Sequence, residues 1–247
     1  MTDRPDLNLR VTSASAEYEA ISRTSPESPC PYLPGRLSRS EAYRVEELDP
    51  EFYERLLGKG FRRSGRVVYR PRCRGCSECR QIRVPLAEFQ ASRSQRRVWE
   101  RNVDVVVSVH PPRVTDEKYM LFRQYVDGRH DGAMARTIEA FQDFLYDSPT
   151  TTLEFEYRIG SQLMGVGLAD HCPLGLSSVY MYFDPALSKR SPGTYSALWE
   201  MEYAKRAGLS YYYLGYLVAG CRTMEYKSRF RPYQILVDTD RWLNFSP

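Results

Sequence analysis

Between Lys59 and Arg101, thirteen Lys and Arg stand against three acids, Glu78, Glu88 and Glu100, and within this field Cys73, Cys76 and Cys79 recur at three-residue intervals. The segment carries +10, and since the whole chain is +4 the remainder sums to −6. Guanidinium groups at this density repel one another unless something neutralises them, so the segment is either a solvated face or a surface that takes a polyanion. Arg outnumbers Lys, and its planar fork matches phosphate oxygens, which favours a nucleic acid. At 247 residues with 42% hydrophobic and 13% aromatic content, the chain is long enough for one large or two modest domains. It contains no apolar run of about 18 residues, as a membrane-spanning helix requires. The opening MTDRPDLNLR is polar and lacks an apolar leader, so a cytoplasmic location is expected. In that reducing compartment six cysteines do not form a disulfide frame; clustered thiols there are metal ligands or redox groups.

The organisation expected from the residues is a loose segment 1–28, a basic cysteine-containing domain 29–101 and a second domain 102–247. In the first domain, Asp49 and Pro50 open a helix stopped at Gly58, a hairpin turns at Ser64-Gly65, and a strand follows from Gln81. Ser92 or Ser94 then caps a helix on which Arg93, Arg96, Arg97 and Arg101 form one basic stripe. From Asn102 the pattern reads strand, two helices opened at Thr115 and Thr137, three strands, a helix from Pro192 with Ser191 as its cap, a strand, a short helix and a last strand. The fold class is therefore α/β (α+β). The order matches the mixed sheet of GCN5-related N-acetyltransferases, in which the fourth and fifth strands splay and the acyl donor enters the gap.

Three groups of residues bear chemistry. Cys73, Cys76 and Cys79 can wrap one inorganic centre, and Cys30, beside a Pro-rich turn, is the candidate fourth ligand for zinc or an iron-sulfur cluster; reduced structural thiols are the alternative. Lys189, Arg190, Gly193 and Thr194 surround a helix start whose free N–H groups suit an anion, although the glycine-rich run that cradles coenzyme A pyrophosphate is missing. Tyr180 and Tyr182, with Tyr211, Tyr212, Tyr213 and Tyr216, lie on the two strands expected to splay, where alternate rings line a slot or fill the core. Lys227, in Tyr226-Lys227-Ser228-Arg229, is a surface lysine or a carboxylate ligand.

Phe61-Arg62-Arg63-Ser64-Gly65, Tyr69-Arg70-Pro71, the cysteines, Ile82-Arg83-Val84 and Ser92 to Arg97 resemble the N-terminal half of the arginyl-tRNA-protein transferase family. Arg129-His130, Leu176-Ser177, Val179-Tyr180, Arg190-Ser191, Gly193-Thr194-Tyr195, Tyr213 to Tyr216 and Met224 to Lys227 are similar to its C-terminal half, and the cysteine-rich form is nearest to the bacterial aspartate/glutamate leucyltransferase branch. The resemblance covers roughly residues 28 to 240. It implies an aminoacyltransferase that moves an amino acid, leucine or alternatively arginine by the same mechanism, from charged tRNA to the α-amine of proteins beginning with Asp or Glu and so marks them for degradation, with no cofactor required for the chemistry. Under this reading Arg62, Arg63, Arg70, Arg83, Arg93, Arg96, Arg97, Arg190, Gly193, Thr194 and Tyr213 hold the aminoacyl-tRNA. Lys227, Arg231, Arg129 and Arg36 receive the acceptor carboxylate, and Asp170 and Tyr180 assist proton removal. Two rivals share parts of the pattern: a coenzyme-A-dependent N-acyltransferase, and a non-catalytic RNA-binding protein.

Overall fold

A computed structural model describes residues 23–128 and 134–246. Its centre is an eight-stranded sheet in the order β14-β13-β7-β12-β11-β10-β9-β8. The strands are Cys79–Pro85 (β7), Val105–His110 (β8), Thr152–Ile159 (β9), Gln162–His171 (β10), Gly175–Phe183 (β11), Tyr211–Val218 (β12), Tyr233–Asp238 (β13) and Arg241–Phe245 (β14). All neighbours are antiparallel except β11 and β12, which run parallel and pair only from Gly175↔Tyr211 to Ser177↔Tyr213. Beyond Ser177 the two strands diverge. This is the expected splay between the fourth and fifth strands after Asn102.

Strand β7 is antiparallel to both β12 and β13, with Arg83 opposite Tyr213 on one side and Gln234 on the other. The ladder therefore crosses the boundary expected between Arg101 and Asn102, and the basic segment supplies a central strand of the second unit's sheet. A smaller sheet, β1-β4-β6-β5, is built from Arg23–Thr24, Ser40–Arg44, Val67–Pro71 and Arg62–Ser64, and a two-stranded pair joins Ser28–Pro29 (β2) to Leu37–Ser38 (β3). Residues 1–22 of the segment expected to be loose lie outside the described residues, whereas Arg23 and Thr24 pair with Ala42 and Glu41.

The helices start where their caps are written. Asp49 Oδ1 accepts from Phe52 N at 2.9 Å ahead of α1 (Pro50–Gly58), and Ser92 and Gln95 make a reciprocal capping box on α2 (Arg93–Arg101). Thr115 caps α3 (Asp116–Asp127), and Thr137 caps a short run that tightens into a wide turn at Gln142–Tyr146. Ser191 differs from expectation. It precedes α4 (Pro192–Arg206) in the left-handed region at φ 58°, and its side chain makes no capping bond, so the fixed φ of Pro192 opens this helix instead.

Strand β10 is buried continuously from Leu163 to Asp170 because both of its faces are covered. On one face Met164 and Ala169 pack with Leu198, Met201 and Ala204 of α4; on the other Val166 and Leu168 pack with Leu121, Phe122 and Val126 of α3. A third cluster joins α1 to the small sheet through Tyr53, Leu57 and Val68, and reaches Tyr213 and Cys172 of the large one. Under α4 lies Glu200, 1% exposed, whose carboxylate accepts from Ser196 Oγ at 2.5 Å, Tyr212 OH at 2.8 Å and Tyr157 OH at 3.4 Å. Gly167 permits the approach, since a Cβ there would stand 2.6 Å from Glu200 Oε1.

Burial pushes Glu200 up to about 7, against the three hydroxyl donors, which pull it down. A carboxyl whose folded pKa is raised loses stability as pH climbs from its unfolded value toward 7, and the whole penalty is present above that. At roughly 1.4 kcal/mol per pH unit the penalty is on the order of 3 kcal/mol. Glu200→Gln is expected to flatten this dependence, so that variant and parent unfold at similar temperatures near pH 5 and the parent falls behind by pH 8. Parallel curves across that range would show that Glu200 is ionised throughout.

Candidate active site

The fork between β11 and β12 opens onto a cavity of about 360 Å³ lined by aromatic rings and three buried cations, Arg62, Arg63 and Lys227. Successive residues of β5 point to opposite sides of their strand, so Arg62 and Arg63 take different partners. Arg62 enters the fork. Its Nη1 donates to Ser177 Oγ at 3.2 Å and its Nη2 to the Ser178 carbonyl, where β11 leaves its neighbour. From the opposite prong, Lys227 Nζ donates to the Tyr216 carbonyl at 2.8 Å. Gly215, at φ 88°, sits at the bulge of β12, and a Cβ there would lie 3.3 Å from Arg62 Cζ and 3.5 Å from Lys227 Nζ. The absent side chain lets both cations close on one stretch of backbone.

Arg62 is 6% exposed and Lys227 7%, and among the described residues neither has a carboxylate at ion-pair distance. Burial, and after it the nearby Arg62 charge, pushes Lys227 down to about 7. Two cations in one dry recess without an anion form an incomplete site, because burial disfavours each charge and each disfavours the other. A carboxylate completes it. Tyr32, Tyr69, Tyr125, Tyr180, Tyr216 and Tyr226 wall the cavity. Burial raises the phenols of Tyr32, Tyr69, Tyr180, Tyr216 and Tyr226, so these five are neutral donors at physiological pH.

Asp170 has another place. It is fully buried, with Oδ1 accepting from Arg63 Nη2 and Thr152 Oγ1, each at 2.6 Å, and Oδ2 from Arg63 Nε at 2.7 Å. A carboxylate so occupied on both oxygens clamps the small sheet to β9 and β10, and the expected role in proton removal gives way to this ion pair. Tyr180 does line the cavity, and its hydroxyl lies 3.8 Å from Met134 Sδ. Tyr182 instead faces the core and bonds to Tyr146 at 2.7 Å.

The residues expected to grip tRNA divide by exposure. Arg62 and Arg63 are interior, which removes them from a phosphate-binding face. Arg70 is tied to Glu41 at 2.7 Å and covers the Phe61 ring, while Arg83 lies 3.7 Å above the Tyr211 ring and 4.0 Å from that of Trp242. Tyr213 is buried and bonded to Arg83, so it reaches neither the cavity nor the surface. Arg93, Arg96, Arg97 and Arg101 are exposed along α2 as the stripe requires. Arg101 and Arg190 are linked through backbone carbonyls across the start of α4, where Gly193 has open space around it and Thr194 is half-buried. Arg190 also pairs bidentately with Asp104. The stripe is joined to the cavity through Gln95 Nε2, which donates to the carbonyl of Arg229, two residues beyond Lys227.

Of the residues expected at the acceptor carboxylate, Lys227 lines the cavity. Arg231 is exposed past it, Arg36 lies at the cysteine loop with Nη1 3.3 Å from Cys76 Sγ, and Arg129 falls outside the described residues. Sequence reasoning missed Arg62 as the partner of Lys227, and also Glu200. The available signal for Arg62 was its position in a strand between buried neighbours, where an arginine cannot reach solvent.

Cys30 accepts from Leu33 N, Cys73 from Arg39 N and Cys76 from Arg36 Nη1, and burial, with the other three thiols adding to it, pushes Cys79 up to about 12. The donor set suits a four-thiolate centre. Among the described residues, however, the ligand atoms that come within 4.8 Å of one another belong to His110, Glu154 and Glu156. There Lys118 Nζ already bonds Glu154 at 2.5 Å. Cys172 and Cys221 are buried; Cys172 stands apart as expected, whereas Cys221 packs in one cluster with Cys79. Beside the cysteine loop a second cavity of about 500 Å³ shares the Tyr216 wall and borders Gln81, whose buried amide has no partner on either atom among the described residues.

The family model for the arginine-tRNA-protein transferase N terminus matches residues 28–97, and that for its C terminus matches residues 117–237. The chain belongs to the arginine-tRNA-protein transferase family. It is 40% identical to an aspartate/glutamate leucyltransferase of Hahella chejuensis over 222 residues, covering 89% of this chain and 94% of that one. It is 42% identical to the protein of the same name in Nitrosococcus oceani over 218 residues, covering 87% and 92%. The fold resembles the C-terminal domain of a putative lysylphosphatidylglycerol synthetase from Agrobacterium fabrum, at a TM-score of 0.50 and 13% identity over 82% of this chain and 65% of that one. That likeness concerns the fold alone, and it agrees with the acyltransferase-like sheet expected from element order. No helix among the described residues is long and apolar enough to cross a membrane.

Proposed function

We propose that this family member transfers leucine from charged tRNA to the α-amine of proteins whose first residue is Asp or Glu, and so marks them for degradation. The observation that carries the acceptor half is the pair Arg62 and Lys227, two buried cations at the floor of the fork without a carboxylate at ion-pair distance among the described residues. An Asp or Glu side chain brings the missing carboxylate, and burial makes that pairing strong and selective. Leucine as the transferred residue rests on the names of the relatives.

The donor's terminal adenosine and ester occupy the mouth of the fork, where Tyr180 and Tyr226 offer ring faces for a base and neutral hydroxyls for the ester oxygen. The α2 stripe holds the acceptor stem by its phosphates. An aminoacyl ester is already activated and an α-amine has a pKa near 7.7 to 8.0, so placing the two groups together supplies much of the rate. Cys30, Cys73, Cys76 and Cys79 would hold a zinc ion or an iron-sulfur centre that shapes the loop next to Tyr216; metal analysis and absorption spectra under anaerobic conditions decide, and metal-free protein of full stability and activity would remove it.

The test of the function is direct. The protein is incubated with leucyl-tRNA, arginyl-tRNA or acetyl-CoA and with peptides beginning Asp, Glu, Asn or Ala, and products are weighed by mass spectrometry. Leucine is expected on the Asp and Glu peptides alone, with a rate that falls steeply as salt is raised. Acetylation without aminoacyl transfer, or salt-sensitive tRNA binding with no product, would overturn the reading.

A further inference from the structure

The acceptor arrives mostly as an ammonium ion, which has no lone pair with which to attack an ester. A group within the cavity must take a proton from it, and Asp170, on the strand beside β11, is consumed by Arg63 and Thr152. The ionisable side chains that face Lys227 are Arg62 on β5, Tyr69 on β6, Tyr125 on α3, Tyr180 on β11, Tyr216 on β12, Tyr226 on its own turn, Tyr32, and Cys221 just before that turn. The tyrosines are neutral donors, Arg62 is a fixed charge, and Arg63 beyond it is paired. Among the described residues, Lys227 is thus the one group lining the recess placed to gain a proton there. Its Nζ spends one hydrogen bond on the Tyr216 carbonyl and is otherwise open to the cavity.

Resting on the function proposed above, we propose that Lys227 receives the proton lost by the acceptor's α-ammonium group, and that it can hold this proton because the acceptor's own side-chain carboxylate lies between it and Arg62. Without that carboxylate, a protonated Lys227 would face the Arg62 guanidinium unscreened in a buried recess. With it, the three charges alternate. The acidic side chain that is selected therefore also switches on the base that activates its own amine. The steps balance: one proton of the α-ammonium passes to Lys227, the freed lone pair forms the new C–N bond, and the bond from the acyl carbon to the ribose 3′ oxygen breaks. The second proton from nitrogen ends on that oxygen as a hydroxyl, and Lys227 releases its proton to solvent as product leaves.

The experiment measures kcat and KM for leucyl transfer to Asp- and Asn-initiated peptides between pH 6 and 9.5, for the parent and for Lys227→Arg. Arginine keeps the positive charge but accepts no proton. For the parent, kcat/KM with the Asp peptide is expected to rise with pH as Lys227 loses its proton near 7 and then to level off. Lys227→Arg is expected to keep the KM for the Asp peptide within about threefold, to lose on the order of 10²-fold in kcat at pH 7, and to rise only as the α-amine itself deprotonates, near 7.7 to 8.0. A second measurement guards against poor accommodation of arginine: in Lys227→Ala, added ethylamine is expected to restore turnover of the Asp peptide and not of the Asn peptide. An unchanged kcat and profile in Lys227→Arg, or no rescue of a folded Lys227→Ala, overturns the proton-accepting role while leaving carboxylate binding intact. Equal KM values for Asp and Asn peptides in the parent would instead overturn the carboxylate site itself.

Discussion

Asp170→Asn is expected to lower the midpoint of thermal unfolding by on the order of 10 °C. Both side chains of the Arg63–Asp170 pair are fully buried, and the contact is a fork of 2.6 and 2.7 Å bonds with Thr152 closing the third side. Asparagine keeps the shape and removes the charge, which leaves the Arg63 guanidinium uncompensated in the interior. Breaking a buried pair from one side costs about 3–5 kcal/mol, and a chain of this size loses roughly 2–4 °C per kcal/mol. Replacing both partners by apolar residues is a different experiment, since it leaves no orphaned charge. Arg63→Met combined with Asp170→Leu is expected to recover much of the single-variant loss. Calorimetry of the two variants against the parent checks both statements. A single variant within a degree or two of the parent would mean that Arg63 finds other partners and that the clamp between the two sheets is not fastened here.

The same pair shows where sequence stops being informative. Caps are local: Asp49, Ser92, Thr115 and Thr137 each bond an N–H three residues on, so the helix starts could be read from the chain. The hairpin, which turns at Gly65-Arg66 one residue beyond the expected Ser64-Gly65, and the splay after Ser177 also follow from short-range pattern and element order. Strand partners do not. Alternation identifies a strand from Gln81 to Leu86, which the structure places at Cys79–Pro85, but nothing in those residues says that it joins β12 and β13 across more than a hundred positions. Charge misled for a related reason. Thirteen cations sum to a basic field whichever way each one faces, and the sum hides that Arg62 and Arg63 are interior while Arg93, Arg96 and Arg97 are at the surface. Asp170 was recognisable as a carboxylate near the fork, and only its partner, 107 residues away, reveals that it is spoken for. Lys227 was legible from its aromatic surroundings. Its pairing with Arg62 depends on Gly215, whose bulge draws in two groups 165 positions apart in the chain.

Arg62→Met is expected to depress transfer to Asp- and Glu-initiated peptides by on the order of 10²- to 10³-fold, the range that follows from about 2–5 kcal/mol for truncating one partner of a desolvated charge pair. Its effect on folding should be far smaller. In the free protein Arg62 is a buried cation beside a buried amine, with no carboxylate at ion-pair distance among the described residues, so its removal relieves a desolvated charge while leaving the Ser178 carbonyl without its donor. Methionine fills the volume, and the two effects on stability oppose each other. The pH dependence supplies a second readout. Burial, and then Arg62, hold Lys227 down at about 7, and a lysine whose folded pKa is depressed contributes stability that grows as pH rises from 7 toward its unfolded value. With the guanidinium gone, Lys227 should titrate higher, and that rise should become shallower in Arg62→Met than in the parent. A variant that unfolds far earlier yet keeps full preference for acidic peptides would show that Arg62 only pins the fork open through Ser177 and Ser178. Lost preference in a protein that still folds would place the acceptor's carboxylate between the two cations.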